Sequence, residues 1–187
     1  MNKLLITSFF LLALILITQP LISGEKAPQK IVDLAKSELV KLGSDPVIVD
    51  AVKAENAKGK TLEQIKAMDE KWKSTPGIAD FMKALMDSKC GQYLKKMQSK
   101  NDYFAEIFVM DNKGANVAMT DKTSDYWQGD EEKFTESFKG GTGALHISDV
   151  EFDDSSQSYL VQVSVPVMDG GKAIGAITFG IDVDAVE

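Results

Sequence analysis

Between Lys122 and Asp130 the chain reads Lys-Thr-Ser-Asp-Tyr-Trp-Gln-Gly-Asp, which gathers a cation, two adjacent aromatic rings and two carboxylates in nine positions. Aromatic walls that also carry a hydroxyl or an indole N–H suit an amine, an amide or a zwitterion. Lys122 supplies a point charge for an anion, Tyr126 and Trp127 the walls, and Asp130 a counter-charge. Two of these have an ordinary structural alternative: Trp127 could plug a core, and Asp130 could cap the helix that follows it.

A second group lies in a strand pattern. From Tyr159 to Val167, Val161, Val163, Val165 and Val167 point to one side, and Leu160, Gln162, Ser164 and Pro166 to the other. In a strand covered on both faces, Gln162 and Ser164 are interior polar groups that need partners, either a ligand or water and neighbouring loops. His146 faces opposite to Leu145 and Ile147 and joins the same candidate site, with a structural role as its alternative.

Other chemistries are excluded or weak. Asp121, Thr123, Asp125 and Glu132 fall on positions 1, 3, 5 and 12 of a calcium-loop template, but Tyr126 occupies the position where the turn needs glycine. Gly140, Gly141 and Gly143 lack the lysine-threonine pair and following helix of a phosphate cradle. With one histidine and one cysteine in 187 residues, zinc sites, Cys/His nucleophiles and disulfide scaffolds are out of reach. No cofactor is expected, and no enzyme. Cys90 reads as a small buried hydrophobe or as one half of an intermolecular disulfide. All 21 basic residues are lysines and the net charge is −7, so neither a basic excess nor a guanidinium fork is available for nucleic acid.

The elements that must position these residues come in two styles. Residues 1–24 combine a lysine near the start, an apolar run from Leu4 to Ile22 and small residues after it, the pattern of a secretory signal peptide or, uncleaved, a membrane anchor. Residues 25–102 are helical. Ile31, Leu34, Ala35, Leu39 and Leu42 make one stripe of a long helix stopped at Gly43, Asp45-Pro46 starts a second, and Thr61 to Gln64 is a capping box. Thr75-Pro76 starts a further helix running on towards Met97. From residue 103 to 187 the period becomes two, with a hairpin at Asp111 to Gly114, a short helix from Asp130, and strands at Ala144–Ser148, Tyr159–Val167 and Ala173–Asp182. This is an α+β chain with an antiparallel sheet.

Four stretches together resemble the PAS-like extracellular sensor domains called Cache or PDC domains: Ala105 to Gly114, Thr123 to Glu131, Ser148 to Asp153, and Val163 to Val167 with Asp169 to Ala176. The resemblance implies a five-stranded antiparallel sheet with a short helix in the connection after its second strand, preceded by helices of which one is long. It also implies a small molecule held beneath that loop and helix.

The expectation is therefore an exported, periplasmic or secreted sensor domain for an amino acid, amine or small organic acid, with Lys122, Tyr126, Trp127, Asp130, His146, Gln162 and Ser164 around the ligand. Lacking an output domain, it would act through a membrane receptor such as a histidine kinase, chemoreceptor or cyclase. The alternative is a ligand-free interaction module that dimerises through the long N-terminal helix.

Overall fold

The computed structural model describes residues 24–154 and 156–186. The expected leader, residues 1–24, lies outside them apart from Gly24. Helix α1 spans residues 29–42 as Gln29–Leu34, a π-helical stretch Ala35–Leu39 and a last turn Val40–Leu42. Its apolar stripe is taken up within the chain, since Ile31, Ala35 and Leu39 are buried against the sheet. Gly43 has ordinary helical dihedrals, and a side chain there would strike the Pro166 carbonyl, so close packing rather than a left-handed stop requires it.

Helix α2 (Pro46–Asn56) begins where the Asp45 carboxylate accepts the Val47 N–H at 2.8 Å. Helix α3 (Leu62–Ser74) opens with the expected capping box: Thr61 accepts from the Gln64 N–H while the Gln64 side chain accepts from the Thr61 N–H. The helix expected from Thr75-Pro76 to Met97 is instead two, α4 (Asp80–Met86) and α5 (Lys89–Gln98). The Ser88 hydroxyl accepts the Gly91 N–H at 3.0 Å and restarts the chain in a new direction.

The sheet is antiparallel: β1 (Phe104–Met110), β2 (Asn116–Met119), β3 (His146–Ile147), β4 (Glu151–Asp153), β5 (Ser158–Asp169) and β6 (Lys172–Asp182). Its order is β2-β1-β6-β5-β3, with β4 also on β5. The third of the five expected strands is thus broken in two. Val150 turns its N–H to the Glu25 carbonyl at 2.7 Å, and Lys26 pairs with Asp149 at 2.8 Å, so the segment before α1 docks at the break. The short helix α6 (Glu132–Phe138) lies in the β2–β3 connection, as expected.

Register separates the two faces. Ile107, Phe179 and Val163 share one row and Val109, Ile177 and Val165 the next. Both belong to the core made with Ile31 of α1, Ile48 and Val52 of α2 and Leu94 of α5. The other face presents the rows Glu106–Gly180–Gln162 and Phe108–Thr178–Ser164–His146. It is covered by α6 and the loop after β2, beside a second cluster in which Trp72 and Ile65 of α3 meet Met82, Met86 and Tyr126. Among the described residues no helix is long and apolar enough to cross a membrane.

Candidate ligand-binding site

Beneath the loop after β2 lies a cavity of about 410 Å³. Its floor is the sheet row built on Gly180, where a Cβ would come within 2.6 Å of the Glu106 Cγ. The missing side chain leaves room for Glu106 and Gln162 to lie over the strand, with Gln162 Nε2 3.5 Å from Glu106 Oε1. Phe108 continues the floor, and Lys133 of α6 closes one side with its ammonium 5.8 Å from the Phe108 ring centre. Lys122, Thr123, Ser124 and Gln128 form the roof, and Asp153 and Asp154 the rim. A second cavity of about 270 Å³ shares Glu106, Lys122 and Asp153 and extends to Asp121 and Ser156.

The roof is held firmly. The Asp69 carboxylate of α3 accepts the backbone N–H groups of Tyr126 (2.8 Å) and Trp127 (3.1 Å) and pairs with Lys73 at 2.7 Å. Asp69 and Asp125 together hold the Lys73 ammonium above its ordinary pKa. The Trp72 indole N–H donates to the Thr123 carbonyl at 2.8 Å. Gly114, at φ 82°, lets the β1–β2 turn meet Gly129 so closely that a Cβ would sit 2.4 Å from its Cα.

Of the residues expected around a ligand, Lys122 and Gln162 line this cavity and the others do not. Lys122 donates to the Thr75 carbonyl at 2.9 Å. Tyr126 is buried against Trp72, its hydroxyl accepting from Lys60 at 2.9 Å, and burial pushes its pKa up. Trp127 and Asp130 line a separate groove beside α3, where the Trp127 indole N–H donates to the Lys113 carbonyl and Lys66 sits over its ring. Asp130 is exposed and does not cap α6; the N-cap position is Glu131, one residue later. Ser164 is fully buried and meets the Thr178 hydroxyl at 2.9 Å, a partner within the sheet. His146 is opposite Ser164 in register but outside the cavity wall. Cys90 is buried, and burial pushes its thiol up to about 12, so it is an inert hydrophobe.

Sequence reasoning missed Glu106, Lys133 and Gln128. Glu106 had a visible signal, since it is the one charged residue in Phe104–Met110. Burial raises its carboxyl pKa, with Lys133 opposing and Asp153 adding to the rise. Gln128 is 1% exposed and its Nε2 donates to the Asp125 carbonyl, leaving Oε1 without a hydrogen-bond partner among the described residues.

No family model matches the sequence, and no curated protein matches it either. Solved structures do. The sensor domain of the V. cholerae histidine kinase DctB superposes with a TM-score of 0.53 at 15% identity, over 84% of this chain and 52% of that one. This chain therefore spans about half the length of that domain. The ligand-binding domain of the Campylobacter jejuni chemoreceptor Tlp3, in complex with 4-methylisoleucine, gives 0.44 at 14% identity over 84% and 60% of the two chains. The E. coli DcuS sensor domain gives 0.40 at 15% identity over 66% and 90%. With the sheet order, the helix in the connection after β2 and the covering N-terminal helices, the likeness to DctB identifies the fold: this chain adopts that of the Cache/PDC-type extracellular sensor domains.

Proposed function

We propose that this chain is an exported binding domain that captures a small polar solute beneath the β2–α6 loop and presents the bound form to a membrane receptor. The observation that carries the reading is the cavity itself. It is of small-molecule size, with an apolar ring at its base and charged and amide groups around it, including a buried carboxylate and an amide oxygen without a partner. Lys122 and Gln162 contact the solute in this reading, while Tyr126 and Ser164 support the walls from behind. His146 keeps the edge strand beside them, and Trp127 and Asp130 hold the neighbouring groove. The roof is tied to α3 through Asp69 and Trp72, so a solute that draws Lys122 or Gln128 inward biases the position of that helix. The size of such a shift is limited by the solute's differential affinity for the two arrangements.

The test is a thermal-unfolding screen against amino acids, amines and short organic acids. The expected result is stabilisation by one chemical class, reduced at least ~10-fold in apparent affinity by Lys122→Ala or Gln162→Ala. A flat response across all three classes overturns the proposal.

A further inference from the structure

We infer that the solute is a small organic cation, an alkyl amine or diamine, held by the acidic wall formed by Glu106, Asp121, Asp153 and Asp154. This rests on the reading that the cavity takes a ligand and narrows its class. The two cavities together are lined by four carboxylates and only two ammonium groups, those of Lys122 and Lys133. Both are already engaged: Lys122 donates to the Thr75 carbonyl at 2.9 Å, and Lys133 pairs with Glu131 at 2.9 Å. An anionic ligand would meet an excess of carboxylates and would have to draw these lysines away from their partners. A cation meets matching charge without rearrangement.

An independent observation points the same way. The atom on this wall that lacks a partner is an acceptor, Gln128 Oε1, and its residue is 99% removed from solvent. A buried carbonyl oxygen is satisfied by a donor, and an ammonium group brings three. Glu106, buried over Gly180, also gains from a cation, which offsets the lost hydration that raises its pKa. Because the shared wall of Glu106, Lys122 and Asp153 links the two cavities, a diamine can place one ammonium group towards Glu106 and Gln128 and the other towards Asp121 and Asp153.

The experiment is calorimetric titration of the purified protein with 1,4-diaminobutane, L-alanine and succinate at low ionic strength and neutral pH. The diamine is expected to bind at least ~10-fold more tightly than either of the others. Added salt should weaken it, and so should lowering the pH through the raised range of Glu106, since protonation removes the charge it pairs with. The groups facing Glu106 in that titration are Lys133 on α6, Asp153 on β4, and Asp121 and Lys122 in the loop. Glu106→Gln should cost the diamine ~10-fold or more in affinity while leaving the unfolding midpoint unchanged or higher. Asp154→Asn, on an exposed turn, tests the same wall should Glu106→Gln fail to fold. A preference for succinate or alanine, or variants that bind the diamine as well as the parent does, overturns the cation assignment and leaves the binding-domain reading standing. No binding by any of the three, together with a flat screen, overturns both.

Discussion

The two faces of the sheet are built from the same strands and do opposite things. On the helix side, Val163, Phe179 and Ile107 stand in register against α1, α2 and α5, fully buried and apolar, with nothing left unpaired. On the loop side, the adjacent row replaces them with Gln162, Gly180 and Glu106. Alternation thus gives one face the burial that holds the fold together and leaves the other free to carry polar groups that water alone would serve poorly. Stability and binding occupy opposite sides of a single layer, and substitutions should separate them.

The largest expected effect is on the helix side. Phe179→Ala removes a fully buried ring packed 5.5 Å from the Phe104 ring and should cost about 3–5 kcal/mol in urea unfolding. A cost near zero would mean that this face is not the main core. Next is the clamp between the two regions. Asp69→Ala leaves two backbone N–H groups and Lys73 without their acceptor and should cost about 3 kcal/mol, with solute binding lost as the roof loosens. Retained binding would show that the roof does not need α3. The smallest is Ser164→Ala, which strips one hydroxyl from a buried pair with Thr178 and should cost about 1 kcal/mol while leaving solute affinity unchanged. A loss of affinity there would move Ser164 into the site and blur the division between wall and lining.

Much of this architecture is legible in the sequence because its signals are local. The alternating valines of β5, the Thr61–Gln64 capping box and the Asp111–Gly114 turn each specify their element from neighbours a few positions away. The division between α4 and α5 was readable too, since Ser88 is an ordinary N-cap, but the continuing apolar spacing masks it. The break between β3 and β4 is different in kind. It depends on Glu25 and Lys26 reaching residues 149 and 150, a contact more than 120 positions apart that no local pattern announces.

The site was half legible for the same reason. Gln162 has a periodic strand to fix its direction. The residues from Lys122 to Asp130 lie in a loop without a period, so their composition shows what chemistry is present but not which side chains turn inward. Tyr126 turns towards Trp72 and Trp127 towards Lys113, while Gln128, less conspicuous than either ring, reaches the cavity. Glu106 was readable as a lone acid among apolar neighbours, but its place over Gly180 depends on the pairing of strands far apart in the chain.

The placement of β6 has a consequence for how the molecule comes into being. It is the latest strand of the described chain and yet the middle one of the sheet, lying between β1 and β5 with a long ladder to each. Until it arrives, the hairpin of β1 and β2 has no route to β5, and the early helices have only fragments of a surface to settle on. A growing polypeptide of this topology stays open until nearly all of it has been synthesised, and then closes in one late, cooperative event dominated by distant contacts.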